Sequence, residues 1–490
     1  MKKNNTVLEM LRSFYNQGEK IAIKYFDGGK ILSVTYAKLW KDVQVLTEIL
    51  LKMQLTNRRV AILSGNSYYG LVSFFAVINA GFVAVLVSSE ESAVVANLDG
   101  CGCKLVLFSR KFHNLVQKLT EKLQKQRIYL SLEKMFEEYE CRDVAQRPVA
   151  SCEGNGCCAI FYSSGTTGKS KGVMLSQTNI MFSVNSVNFY FDNIKKMLLI
   201  LPMSHVAGLI VSVFPALNVG GTVFLADSFS FLKAINAFKP EMMVLVPVLA
   251  ERLINTINLG ECDVACLQYI MCSAAPMNSE LAKIFESYGV SLLNAYGLTE
   301  CGPIVSLSTP QNKKPNTVGK VVLGCQVKLV KNENGVGEIW VKGPNVMNGY
   351  SNNLKATRKV IIDGWLRTGD IGYLDEEGFL CLVGRADNII VLQSGEKICP
   401  EKLEAQIVKS PYIEECLVKP IVQNAENIAL SVDVVVSRDC GSNFKAEDVY
   451  DMVAKNIDKV NASLSYYEKI RKINIYQEGL AKTALYKLKR

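Results

Sequence analysis

Tyr36 to Lys52 reads YAKLWKDVQVLTEILLK, and behind it come VAIL at 60–63, YGLVSFFAVI at 69–78 and FVAVLV at 82–87. The first segment has the periodicity of an amphipathic helix. The two short runs are continuous, apolar and rich in valine, as strands covered on both faces are. Tyr69 to Ile78 reads as a second helix, separated from the next strand by Asn79-Ala80-Gly81. Helix and strand in alternation are the pattern of βαβ units and predict a doubly wound α/β sheet. The alternation returns from Met197 to Leu293.

Two stretches without charge, Leu71 to Ser89 and Met197 to Ala226, are long enough to raise the question of a bilayer span. The first is broken at Gly81, and the second by Pro202, His205, Pro215 and Gly220-Gly221, which divide it into strand, helix and strand. Both are read as buried core, and no transmembrane segment is expected. From about Lys320 to Val383 the pattern changes to short strands between Gly, Asn and Asp turns, a β-rich subdomain of about 320–383. After Gly384 a mixed α+β tail comes next, with helices near Pro400 to Val408 and Ala446 to Val460.

The 490 residues, 49% hydrophobic and 21% charged, describe a soluble globular protein and exclude disorder. A net charge of +9 suits anionic ligands such as nucleotides. The basic residues are spread along the chain without interleaved aromatics, so no nucleic-acid partner is expected. Fifteen scattered cysteines behind an opening Met-Lys-Lys-Asn-Asn with no apolar signal predict a reducing, cytoplasmic setting. Cys101-Gly102-Cys103 and Cys157-Cys158 lack the spaced partners of a zinc site, and His113 and His205 are the two histidines, so no metal cage is expected.

Residues 162–172 read YSSGTTGKSKG. Glycine lets the backbone approach a ligand with its N–H groups turned inward, while the hydroxyls add donors and Lys169 and Lys171 add charge. The run lies between the apolar segments 157–162 and 173–175, so it reads as the turn of a hairpin that grips a polyphosphate. A Walker loop is disfavoured, because Ser163 stands where its first glycine belongs and Val173-Met174-Leu175 favours a strand over a helix. Taken alone, the run also fits a polar surface turn.

Further along stand LPMSHVAG at 201–208, SAAPM at 273–277, NAYGLTE at 294–300, GWLRTGD at 364–370 and GRADN at 384–388. In this order, and over essentially the whole chain, these elements resemble the adenylate-forming superfamily of acyl- and aryl-CoA synthetases, peptide-synthetase adenylation domains and luciferases. The resemblance implies a large N-terminal domain, 1–384, and a small mobile C-terminal domain, 385–490, with Asp387 as the hinge. It implies ATP, Mg²⁺ and CoA, or the phosphopantetheine of a carrier protein, as reaction partners.

The same resemblance distributes roles. Ser163, Ser164, Gly165, Thr166, Thr167, Gly168 and Lys171 would hold the phosphates of ATP, and Thr166 is a catalytic candidate. Ala274, Ala275, Pro276, Asn294, Ala295, Tyr296, Gly297 and Thr299 would line the nucleotide, Tyr296 by stacking on adenine and Thr299 by bonding a phosphate oxygen. Glu300 offers the hard carboxylate that Mg²⁺ prefers. Asp370 would receive the ribose hydroxyls, with Arg385 beside the nucleotide. His205, Val206, Leu209, Val246 and Gly297 would form the acyl site, and the absence of an acid from Pro202 to Gly221 favours an apolar or aromatic carboxylic acid.

Lys487 is assigned as the lysine that neutralises the reacting phosphate, with Lys482 as its rival. The terminal motif departs from the family pattern, with Ala481 for a usual proline and Leu485-Tyr486 for Ser-Gly. Gly395 would line the thiol tunnel. The expected activity is acid activation to acyl-AMP followed by transfer to a thiol, most simply by an acyl-CoA synthetase. Two alternatives are a ligase that loads an acyl carrier protein and a non-catalytic nucleotide-binding relative.

Overall fold

The structure is a computed structural model that describes residues 4–88, 91–122, 127–139, 154–163, 170–273, 279–333, 335–392, 396–424, 427–437, 446–483 and 488–490. Contacts divide the chain into two compact units, Met1–Val327 with Val341–Leu366, and Lys328–Trp340 with Arg367–Arg490.

The first unit holds two sheets, each built on parallel strands as the alternating pattern predicts. In the seven-stranded sheet the order is Gly349–Tyr350, Lys171–Ser176, Cys157–Ser163, Val83–Leu86, Arg59–Leu63, Leu105–Phe108, Ile128–Ser131. The five strands from Cys157–Ser163 onward are parallel, and the first two close one edge antiparallel. In the nine-stranded sheet the order is Lys320–Val321, Ser306–Leu307, Ser291–Tyr296, Tyr269–Cys272, Met242–Leu245, Lys196–Leu199, Thr222–Leu225, Ile21–Asp27, Lys30–Thr35. Its six strands from Ser291–Tyr296 to Ile21–Asp27 are parallel.

The helix Tyr68–Asn79, capped by the Ser67 hydroxyl on the Gly70 amide, is buried at every position but Tyr69. A helix apolar on all sides needs cover on all sides. Phe74 meets Phe161 of the seven-stranded sheet at 6.5 Å between ring centres, and Phe75 meets Phe214 and Phe14 at 5.4 and 5.8 Å. Each of these rings is fully buried and contributes about 1.5–3 kcal/mol by leaving water.

The apolar stretch from Met197 resolves as read, into strand Lys196–Leu199, a helical stretch and strand Thr222–Leu225. The helical part differs in detail, being a π turn, Ala207–Val211, with the short helix Phe214–Asn218 behind it. Among the described residues no helix is long and apolar enough to cross a membrane.

In the second unit, strands Ile413–Asn424 and Asn427–Val436 pair antiparallel and Ile470–Tyr476 joins them parallel. Helices Pro400–Ile407 and Ala446–Ala462 cover this sheet through a core that includes Ile407, Val432, Val434, Val453 and Ile457. The antiparallel pairing of Asp370–Leu374 with Leu380–Arg385 lies within the same unit.

Candidate active site

Open parallel sheets bind ligands beyond the carboxyl ends of their strands. Four adjacent strands of the nine-stranded sheet, Ser291–Tyr296, Tyr269–Cys272, Met242–Leu245 and Lys196–Leu199, end at one edge. The segments that leave this edge carry Gly297, Thr299 and Glu300, then 274–276, then Val246, then His205, Val206 and Leu209. Topology therefore gathers candidates that lie almost one hundred residues apart in the chain.

The turn after Tyr296 is tightly set. A side chain at Gly297 would place Cβ 1.6 Å from the Pro303 carbonyl oxygen, so only glycine fits. Tyr296 is buried, and its carbonyl accepts from the Val305 amide at 2.9 Å. Thr299 is buried and Glu300 half-buried in a single helical turn, Thr299–Cys301. Asn294 and Ala295 lie in the strand itself, and the Asn294 side chain donates to the Thr317 carbonyl at 2.7 Å. That bond holds the adjoining loop, a structural use of a residue read as a nucleotide contact.

The phosphate-loop candidate is a hairpin, with Cys157–Ser163 and Lys171–Ser176 in antiparallel register and Ser163 opposite Lys171. Ser164, Gly165, Thr166, Thr167 and Gly168 lie outside the described residues, as do Ala274, Ala275, Pro276, Gly395 and Lys487. Both flanks of the loop are tied to one residue. The Tyr162 hydroxyl donates to the Asn97 carbonyl, and the Ser170 hydroxyl donates to Asn97 Oδ1 at 2.8 Å.

Tyr350 joins this hairpin to the turn after Tyr296. It pairs with Val173 at the sheet edge. The Lys171 ammonium lies 5.2 Å from its ring centre, and its hydroxyl donates to Glu300 Oε1 at 2.9 Å. A cation near the loop, an aromatic ring and the candidate metal carboxylate thus form one chain of contacts. A Glu300 carboxylate held at one oxygen fits Mg²⁺, which takes one or two protein oxygens and completes its shell with phosphate and water.

The segment that carries the acyl-site candidates is shaped by Asn66. Its Nδ2 donates to the carbonyls of Ile200, Leu201 and Ala226 at 3.0, 3.1 and 2.7 Å, and its Oδ1 accepts from the Met203 amide at 2.9 Å. His205 comes next, half-buried, and a Cβ at Gly208 would stand 2.3 Å from the Pro202 carbonyl oxygen. Val206, Leu209 and Val246 are buried, so this wall is apolar. Asn66, Asn97 and Tyr350 carry no signal in the sequence as site residues; each is an ordinary turn, helix or edge-strand residue until the pairing is known.

In the second unit Arg385 Nη1 lies 2.9 Å from Asp370 Oδ1, bringing two nucleotide candidates together. The Asp370 amide donates to the Thr368 hydroxyl oxygen at 3.0 Å, and that hydroxyl donates to the Ile339 carbonyl at 2.7 Å, fixing the carboxylate's strand. Asp387 is exposed in the turn Ala386–Asn388.

Of the two rival lysines, Lys482 lies among the described residues. Lys482 is ion-paired with Glu415, whose other oxygen accepts from the Leu480 amide at 3.0 Å. Lys482 bridges Leu488, the Lys489 amide donates to the Ala481 carbonyl at 2.8 Å, and Arg490 reaches Glu404 at 2.5 Å.

The family model described as AMP-binding enzyme matches residues 11–351, and the model for the AMP-binding enzyme C-terminal domain matches 387–486. The chain is 26% identical to the peroxisomal OPC-8:0-CoA ligase 1 of Arabidopsis thaliana over 96% of its length and 90% of the relative's. It is 36% identical to the indoleacetate–CoA ligase of Aromatoleum aromaticum over 53% of either chain, so this match spans about half of that relative. The crystal structure of the anthranilate CoA ligase AuaEII with anthranoyl-AMP superposes with a TM-score of 0.87, covering 100% of this chain and 96% of the other at 18% identity, a likeness of fold.

Proposed function

The chain belongs to the AMP-binding enzyme family, and from that premise we propose that it joins an apolar or aromatic carboxylic acid to CoA by way of an acyl-AMP. The observation that supports this best is the contact chain Lys171–Tyr350–Glu300, which ties the phosphate-loop hairpin to the turn after Tyr296.

In the first half-reaction a carboxylate oxygen of the acid attacks the α-phosphorus of ATP, and the α–β phosphoanhydride bond breaks to release pyrophosphate. The protein's task is to hold the reactants in line and to balance negative charge. Residues 163–168 and Lys171 hold the β- and γ-phosphates, Thr166 foremost. Ala274, Ala275, Pro276, Asn294, Ala295, Tyr296, Gly297 and Thr299 surround the nucleotide, and Asp370 with Arg385 receives the ribose. Glu300 would hold Mg²⁺, which when bound neutralises phosphate charge. His205 borders the carboxylate, Val206, Leu209 and Val246 wall the apolar part, and Lys487 neutralises the attacked phosphate. In the second half-reaction the thiol sulfur attacks the acyl carbon and AMP leaves; Asp387 serves as hinge and Gly395 lines the thiol's approach.

The deciding experiment is acid-dependent exchange of labelled pyrophosphate into ATP over a panel of carboxylic acids, with a subsequent thioester assay on CoA and on holo carrier protein. Exchange with an apolar or aromatic acid and thioester on CoA are expected. Thioester on the carrier protein alone overturns the CoA assignment, and ATP binding without any exchange overturns the enzyme.

Tyr350→Phe keeps the ring over Lys171 and deletes the hydrogen bond to Glu300. Loss of a partner that orients a metal ligand weakens metal affinity by about tenfold or more. The Mg²⁺ concentration for half-maximal exchange should rise by about that factor, together with weaker Mn²⁺ binding to the ATP complex by electron paramagnetic resonance. An unchanged Mn²⁺ affinity would remove Tyr350 from the metal site.

A further inference from the structure

Cys101-Gly102-Cys103 is a motif that the ligase chemistry leaves unused. The two sulfurs lie 3.0 Å apart, and both residues are buried. Gly102, at φ +67, makes the turn that faces them toward each other.

The backbone of this turn is held from outside. It ends the helix Glu91–Cys101, where carbonyls lack helical partners. Four consecutive ones accept side-chain donors: Gly100 from Asn352 at 2.9 Å, Cys101 from Arg59 at 2.9 Å, Gly102 from Asn57 at 2.7 Å and Cys103 from Arg127 at 3.2 Å. A clamp of this kind keeps two thiols in apposition and removes the entropy of bringing them together.

The same helix carries Asn97, four residues before Cys101 and therefore on the same face. Asn97 is the residue that ties both flanks of the phosphate-loop hairpin, through Tyr162 and Ser170. A disulfide requires the sulfurs to close to about 2.05 Å, which displaces the last turn of this helix against its clamp.

We propose that Cys101 and Cys103 are a modification site, a dithiol that peroxide converts reversibly to a disulfide and that thereby shifts Asn97 and weakens the grip on ATP. The last step rests on the phosphate-loop reading above. The hydrogen bond with Cys103, with the Arg59 guanidinium nearby, lowers the Cys101 thiol, and Cys101 is taken as the attacking sulfur. The hydrogen bond to Cys101, and then burial, push Cys103 up and keep its proton on.

The Cys101 sulfur attacks one oxygen of hydrogen peroxide, the O–O bond breaks and hydroxide leaves, giving a sulfenic acid. The Cys103 sulfur then attacks the Cys101 sulfur, the S–S bond forms, and the S–O bond breaks. This second hydroxide takes the Cys103 proton, and the hydroxide released from peroxide takes the proton that left Cys101. Two thiols and one peroxide become one disulfide and two waters.

The test treats the full chain with hydrogen peroxide, blocks remaining thiols, and reads both the peptide mass and ATP affinity by calorimetry. The expected result is a peptide spanning 101–103 lighter by about 2 Da, with ATP affinity reduced about tenfold and restored by dithiothreitol. Cys103→Ser should keep its ATP affinity in peroxide. Both thiols still blockable while other cysteines oxidise overturns the dithiol, and this needs no variant and no activity. A disulfide with unchanged ATP affinity overturns the link to Asn97. Failure of the ligase reading shows itself separately, as reduced protein that binds no ATP.

Discussion

Lys487→Ala is expected to lower acid-dependent pyrophosphate exchange about a thousandfold, close to 4 kcal/mol of transition-state stabilisation, while thioester formation from supplied acyl-AMP keeps its rate. The asymmetry arises from charge. Negative charge builds on the phosphate only in the first half-reaction, and a cation aimed there lowers that barrier alone. The control is Lys482→Ala. Lys482 is ion-paired with Glu415 and bridges Leu488, so it anchors the segment that carries Lys487 and should reduce exchange by only about fivefold. A thousandfold loss from Lys482→Ala, with Lys487→Ala near wild type, would reverse the assignment. Equal slowing of both half-reactions by Lys487→Ala would place the lysine in the fold of its unit instead.

Asp370→Ala is expected to reduce kcat/KM for ATP about a hundredfold. Charge-assisted hydrogen bonds are worth about 1.5–3 kcal/mol each, and in the proposed role, in which the carboxylate receives two ribose hydroxyls, the variant gives up both. The change also strips Arg385 Nη1 of its partner at 2.9 Å, and Arg385 Nε is already buried without an acceptor, which adds a penalty in the unliganded protein. A substrate lacking one hydroxyl separates the two effects. Wild type should prefer ATP over 2′-deoxyATP by about tenfold, and Asp370→Ala should lose most of that preference. An undiminished preference in the variant means that the carboxylate does not touch the ribose, and the kinetic loss then belongs to the ion pair.

The seven-stranded sheet was legible because its strands are covered on both faces. VAIL and FVAVLV are continuous apolar runs for that reason, and the helix between them has no polar side because no side meets water. The hairpin around 163–171 was legible from a hydroxyl- and glycine-rich run between two apolar ones. Its supports were not. Asn97 looks like a solvated helix residue, and Tyr350 sits in Asn-Gly-Tyr-Ser, where nothing local reveals that it will pair with Val173 across the sheet edge. Lys482 is ion-paired with Glu415 of strand Ile413–Asn424, a partner that nothing near the lysine in the sequence reveals. The π turn at Ala207–Val211 was read as ordinary helix, since one inserted residue scarcely disturbs an apolar period.

Asn66 bears on how this protein can be redesigned. The segment Ile200–Met203 and Ala226 reach it with three carbonyls and one amide, so the wall proposed to face the acid is moulded on a residue of the turn that follows strand Arg59–Leu63 of the other sheet. An acyl-specificity cassette taken from a relative and grafted between Leu199 and Leu209 will seat only where its main chain offers the three points that lie within it, the carbonyls at 200 and 201 and the amide at 203. Chimeras that exchange Asn66 together with the cassette should therefore fold and change their acid preference, whereas cassettes moved alone should give insoluble protein.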